Sequence, residues 1–335
     1  MDQRESLQPG EYDSGQYSEY ESEEKKSKFG FLINIGLFIF TFFTTTIAGV
    51  FWANKDPYQL ENFSSGILYS VLILLVITTH EFGHYFAAKY HKVPVTLPFY
   101  IPFPFIFLNP FGTMGAVIRM KSRHFSRKAL LDIGAAGPIA GWITSVIILF
   151  IGFISLPPIN YLYQLHPEYA TTGIPVSGFT FGYSLLFWIF EKIFSASSNG
   201  FMPPMNEIYH YPFLCVGWFG LLITSLNMMP VGQLDGGHIS YAMFGEKHKY
   251  VAYFVFAILL IFGIIGLLPF LGVTHSYESI NWLIWALLIF FVIKIKHPPT
   301  IDEDDKALDN KRKLIGWFTF IIFLVSFCPI PVYEV

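Results

Sequence analysis

Residues 62–90 read Asn-Phe-Ser-Ser-Gly-Ile-Leu-Tyr-Ser-Val-Leu-Ile-Leu-Leu-Val-Ile-Thr-Thr-His-Glu-Phe-Gly-His-Tyr-Phe-Ala-Ala-Lys-Tyr. No charge falls between Asn62 and Thr79, a run close to the ~20 apolar residues that carry a helix across a bilayer. The stretch then places His80, Glu81 and His84 in the pattern H-E-x-x-H. Positions i and i+4 of a helix share one face, so both imidazoles can bind a single zinc ion, with Glu81 beside the open coordination position. On a soluble surface helix two unrelated histidines can produce the same pattern. Inside a membrane segment, polar or ionisable side chains are opposed by up to about 3 kcal/mol each and tend to mark a function. Their clustering at ligand spacing argues for a metal.

The rest of the chain fits a membrane setting. Of 335 residues, 53% are hydrophobic and 13% charged, against roughly 45–50% and 25% in soluble domains. Further apolar stretches fall at about 30–52, 129–155, 212–231, 250–272, 279–295 and 313–330, with the second span at about 64–88. These predict an all-α polytopic membrane protein of about seven transmembrane helices. Residues 1–28 are polar and too poor in aliphatics to order, and are expected to be a disordered cytoplasmic tail. A first anchor follows over 29–61, then a metal-bearing membrane core over 62–245 and three C-terminal helices over 246–335. A net charge of −3 gives no nucleic-acid footprint. Cys215 and Cys328 lie at neither disulfide nor zinc-finger spacings and read as packing residues. The N-terminus has no cleavable signal pattern and is too acidic for a transit peptide, so a bacterial cytoplasmic membrane is the expected home.

Lysines and arginines set the expected orientation. Lys25, Lys26 and Lys28 precede the first span. Arg119, Lys121, Arg123, Arg127 and Lys128 fall between the second and third, and Lys247 and Lys249 follow the fourth. Lys294, Lys296, Lys311, Arg312 and Lys313 flank the loop before the seventh. All share one side if the N-terminus is cytoplasmic and the C-terminus outside. The apolar segment 178–194 would break this pattern if it crossed, so it is expected to be re-entrant or interfacial.

Residues 93–118 are uncharged yet contain Pro94, Pro98, Pro102, Pro104 and Pro110. Each interior proline disfavours a helix by about 3 kcal/mol. Non-helical backbone at membrane depth persists only where it is buried in protein or lines a wet cavity. The segment is therefore expected to be a re-entrant loop lining a site, the alternative being a loop lying among the headgroups.

Two histidines leave a four-coordinate zinc short of one protein ligand besides water. Asp235 is the best candidate, in the string Asn227-Met228-Met229-Pro230-Val231-Gly232-Gln233-Leu234-Asp235-Gly236-Gly237-His238. Pro230 ends a helix, the glycines permit a tight backbone, and the second and fourth spans run the same way, so the ligands meet at one depth. Alone, Asp-Gly would read as a turn. His238 is either a partner of a ligand or a replacement for one, and Asn227 a hydrogen-bond donor toward a substrate carbonyl.

These strings resemble the site-2 proteases, intramembrane zinc metalloproteases in which H-E-x-x-H lies on one core helix and N-x-x-P followed by L-D-G on another. The resemblance runs from about Gly66 to Gly245. It implies one Zn2+ per chain held by His80, His84 and Asp235, with Glu81 as the catalytic base. Phe111-Gly112-Thr113-Met114-Gly115-Ala116 and Gly137-Pro138-Ile139-Ala140-Gly141 also look like family features. In the first, Gly112, Thr113, Met114, Gly115 and Ala116 would offer an extended edge to which a substrate adds as a strand. In the second, Gly137 and Gly141 would let the metal-bearing helix approach closely. Many family members carry a PDZ domain between the third and fourth core motifs, but the roughly 55 residues available here leave no room for one. The expected partners are a single-span transmembrane protein as substrate and the lipid bilayer. Two rivals are a polytopic metal-binding regulator or transporter using the same residues, and a serine intramembrane protease built on Gly182-Tyr183-Ser184.

Overall fold

The structure, a computed structural model, describes residues 14–106, 109–120, 126–195, 201–268, 280–298 and 307–334, with side chains from Gly30 onward. Helix α1 spans Ser14–Trp52. Helical backbone thus occupies 14–28, where a disordered tail was expected. The sequence places Glu21 and Glu24 four residues before Lys25 and Lys28, a spacing that supports a helix extended from an apolar span. Residues 1–13 of that tail, and Lys121 and Arg123 of the basic loop, lie outside the described residues.

After a 3-10 turn at Leu60–Asn62 come α2 (Phe63–Tyr90) and an antiparallel hairpin, β1 (Phe99–Pro102) with β2 (Thr113–Val117). The proline-rich segment is therefore a strand pair. It packs along α1 and α2: Trp52 Nε1 donates to the Pro110 carbonyl (2.8 Å), and the Tyr100 hydroxyl bonds that of Thr78 (2.8 Å), two residues before His80.

Helix α3 (Arg127–Ile154) starts at Ser126, whose hydroxyl caps it by accepting from the Ala129 amide, and runs on through Pro138. Contacts with α2 step backwards along it, from Asp132 on His91 through Ile133 on His84 to Thr144 on Thr79. The two helices are antiparallel. Two short helices follow, α4 (Asn160–Leu165) and α5 (Tyr169–Thr172), then strand β3 (Phe179–Phe181) and helix α6 (Leu185–Ser195). At 11 residues, α6 is about 16 Å long against a ~30 Å hydrocarbon core.

Helix α7 (Pro212–Asn227) is buried over most of its length, as a helix apolar all round should be. Gly217 faces Leu149 and Gly220 faces Ser145, so α7 is antiparallel to α3 and parallel to α2. Beyond a turn come α8 (Asp235–Phe244) and α9 (His248–Ile265), separated where Gly245 takes a left-handed φ of +58°. Helix α10 (Asn281–Leu288) continues as a π-helical turn over Ile289–Ile293, and α11 (Asn310–Ser326) leads to strand β4 (Val332–Glu334), paired antiparallel with β3.

Among the described residues, four helical stretches are long and apolar enough to cross a membrane: Gly30–Trp52, Leu60–Tyr90, Arg127–Ile154 and Asp235–Ile265. Pro212–Asn227 and Asn281–Ile293 are apolar but shorter. The expected seven-span pattern is thus matched at full length by four of these stretches, while the turn after Asn227 and Lys294 with φ +68° bound two shorter apolar helices. The principal core gathers Trp52, Tyr69, Ile73, Phe181, Trp218 and Phe219 where α1, α2 and α7 meet β3.

Candidate active site

Helix periodicity brings His80 and His84 to one face of α2, their Nε2 atoms 3.1 Å apart. The third group arrives from a different element. After Asn227 the chain turns through Met228–Leu234, with Gly232 at φ +53°, and Asp235 opens α8. It is the first residue of a new helix rather than the close of the preceding span, a position where a carboxylate is favoured by the helix dipole. Its Oδ2 lies 3.3 Å from His80 Nε2 and 3.4 Å from His84 Nε2. The donors of a tetrahedral zinc with ~2.0–2.2 Å bonds lie roughly 3.3 Å apart. The trio fits such an ion.

Packing against α3 holds the two imidazoles. A methyl group at Gly137 would overlap His84 Nε2, and one at Gly141 would come within 3.1 Å of His80 Nδ1. The small residues that admit α2 to α3 therefore seat the two rings themselves. His84 Nδ1 lies 2.7 Å from the Ile133 carbonyl. A carbonyl only accepts, so Nδ1 carries the proton and the Nε2 lone pair is left for a metal.

A cavity of about 280 Å³ opens on the trio, lined also by Glu81, Asn227, His238, Ala116, Val117 and Ile118. Glu81 is buried, with its carboxylate at the Ile118 amide. Asn227 Nδ2 lies 3.4 Å from His80 Nε2. Of the five loop residues singled out in the sequence, Ala116 lines this cavity. Gly112 is pressed against Thr44 and Thr45 of α1, the Thr113 hydroxyl donates to the Ile101 carbonyl, Met114 is exposed, and Gly115 has open space around it. Beside Ala116, the cavity is met by Val117 at the end of β2 and by Ile118 and Met120 just beyond it, residues whose apolar types carried no signal.

His238 Nδ1 pairs with His297 Nε2 at 2.7 Å, and His238 is not part of the donor trio. Asp132 accepts from Arg312 Nη2 at 2.7 Å and faces His91 Nε2 at 2.8 Å, tying α11 to α3 one residue from Ile133. Sequence reading missed His297, Asp132 and Arg312, since no local spacing joins them. Ser184, the nucleophile of the serine-protease rival, is buried and accepts from the Phe187 amide at the start of α6.

A bundle of apolar helices that joins two histidines of one helix to an aspartate opening another has the architecture of a membrane metallopeptidase. The chain belongs to Peptidase family M50, the site-2 protease family, whose model matches residues 68–268. It is 28% identical over 275 residues to the probable zinc metalloprotease EGY2, chloroplastic, of Oryza sativa subsp. indica, covering 82% of this chain and 44% of that protein. Against the probable zinc metalloprotease EGY1, chloroplastic, of Oryza sativa subsp. japonica it is 32% identical over 269 residues, 80% of this chain and 41% of the relative. The probable zinc metallopeptidase EGY3, chloroplastic, of Arabidopsis thaliana is 25% identical over 297 residues, 88% and 48% of the two chains. This chain thus spans about half the length of these relatives or less. Their names are chloroplastic and lend no support to the expected bacterial membrane. No solved structure matches the chain.

Proposed function

We propose that the chain hydrolyses a peptide bond in the transmembrane segment of a single-span protein, using one zinc ion held by His80, His84 and Asp235. The observation that carries this reading is the convergence of those three donors in a cavity that also holds Glu81 and is bordered by strand β2. Zinc bound there supplies Lewis-acid polarisation and a water acidic enough to lose a proton near neutral pH. Glu81, which lines the cavity beside the trio, would serve as general base toward the attacking water and as general acid toward the leaving amine. The Asn227 amide donates to the carbonyl oxygen as it gains charge. A helical substrate hides its carbonyls in its own hydrogen bonds, so it must unwind, and pairing along the outer edge of β2 compensates the backbone groups so freed.

In the same reading, the chain makes seven crossings. Helices α7, α10 and α11 complete the four longer stretches through local thinning of the bilayer, and the β1–β2 hairpin is re-entrant. The N-terminus lies on the cytoplasmic side and the C-terminus outside. Arg127, Lys128 and Arg312 belong to the same end of the bundle as the metal centre, which favours placing the site toward the positively charged face. A metal-transport role is less favoured, because buried Tyr69, Ile73, Ile77 and Phe219 fill the bundle beyond the site.

The test is zinc content and cleavage of a single-span peptide by purified wild type and Glu81→Gln. Zinc should be retained, and cleavage should fall by about 10²–10⁴-fold, the range for loss of a general base. Cleavage at the wild-type rate would remove Glu81 from the mechanism.

A further inference from the structure

A second group of side chains repeats the donor set of the first at the other end of the bundle. His166 follows α4, Glu207 precedes the 3-10 turn Ile208–His210 that leads into α7, and His210 ends that turn. Helix α7 begins at Pro212 and reaches the first site at Asn227, so the two groups are about 22 Å apart along its axis at ~1.5 Å per residue. Buried apolar side chains lie between them.

His166 Nε2 and His210 Nε2 are 2.9 Å apart, and His210 Nε2 is 3.4 Å from Glu207 Oε2. These two spacings fall near the 3.1, 3.3 and 3.4 Å of the first trio, and all three donor atoms lie within 4.8 Å of one another. The His210 and Glu207 side chains are only 0% and 3% exposed, and among the described residues no lysine or arginine pairs with the carboxylate. Glu207 Oε2 and His210 Nδ1 have no hydrogen-bond partner. Apart from the Tyr169 hydroxyl on Oε1 and the His210 ring 3.4 Å from Oε2, nothing among the described residues compensates this buried carboxylate, a state disfavoured unless a cation completes the group.

The surroundings are those that orient metal ligands. His166 Nδ1 faces Glu168 Oε1 at 3.1 Å, the carboxylate-histidine pairing that aims the other nitrogen at a metal. Tyr169 stacks on the His166 ring, with centroids 4.5 Å apart, and its hydroxyl donates to Glu207 Oε1 at 3.1 Å. The Tyr161 hydroxyl holds the His210 carbonyl at 3.0 Å. Glu207 and Tyr169 also line a cavity of about 830 Å³ beneath Trp52, which gives an ion a way in. We propose that His166, Glu207 and His210 bind a second divalent transition-metal ion that fastens the segment between α3 and α7 to the start of α7. Two imidazoles and one carboxylate suit zinc.

Metal analysis of the purified full chain after dialysis against zinc tests this. Wild type should hold two equivalents, His166→Ala one, and the pair His80→Ala with His84→Ala one, with all three substitutions together holding none. His166→Ala removes a ring at the end of a short helix and should leave peptide cleavage in place, which reports that the chain is folded. The isosteric Glu207→Gln gives a second measure of the same loss. One equivalent in wild type, or two retained in both His166→Ala and Glu207→Gln, overturns the proposal without touching the first site. Zinc lost from the His80 and His84 pair alone, down to one, with cleavage unaffected, would instead count against the proposed function.

Discussion

Gly137 lies so close to His84 that any side chain at position 137 would occupy the space of the imidazole Nε2. Gly137→Ala should raise the intrinsic helix propensity of α3 by about 1 kcal/mol while pushing His84 off its Nε2–Asp235 line. The expected result is a zinc affinity lower by about 10–100-fold, as for losses of ligand support elsewhere, with overpacking lowering stability by about 1–3 kcal/mol net of that propensity gain. Zinc titration together with thermal unfolding separates this from misfolding, which would abolish the cooperative unfolding transition.

Asn227 sits at the end of α7 with its amide nitrogen 3.4 Å from His80 Nε2. If that amide serves the substrate carbonyl, Asn227→Ala should reduce kcat by about 10²–10³-fold, the range for loss of one oxyanion donor, and leave zinc bound. Zinc content that falls in step with activity would give Asn227 the role of supporting His80.

What the sequence discloses here is whatever helix and strand periodicity encode locally. H-E-x-x-H is legible because four residues make one turn, and the prolines of 93–118 announce non-helical backbone wherever they fall. Asp235 is legible through its glycine-rich surroundings and the family pattern, though its place at the head of α8 is not. The Asp132–Arg312 link spans 180 positions, and His166 lies 44 positions from His210. Only packing brings such pairs together, so neither composition nor spacing discloses them. The same holds for Val117 and Ile118, whose contribution to the site is their position at and just past the end of β2 rather than their chemistry.

Gly115 has φ +92° and lies where the register slips between Tyr100 and Pro102, the signature of a β-bulge that re-aims a strand. A β-branched residue at such a φ is strained by roughly 1–2 kcal/mol. Gly115→Val should therefore straighten β2 and turn Ala116 and Val117 away from the cavity. Cleavage should fall by about tenfold or more, at an unchanged zinc content, since no metal-binding side chain touches this glycine. Equal activity would detach the strand edge from substrate handling.

Arg312 reaches across from α11 to hold Asp132 through Nε at 3.0 Å and Nη2 at 2.7 Å, while its Nη1 binds Asp309. Asp132 adjoins Ile133, whose carbonyl fixes His84, so the C-terminal helix bears on the metal centre through two covalent neighbours. Both partners are partly exposed, which limits the loss of stability on Arg312→Ala to about 1 kcal/mol. The sharper consequence should be at the metal, with zinc dissociating several-fold faster as the second turn of α3 loosens. Arg312→Lys keeps the charge but cannot form the two-pronged contact, and should behave like the alanine variant in a zinc off-rate measurement. Recovery of the wild-type off-rate with lysine would mean that charge alone is needed and that the link to Ile133 transmits nothing.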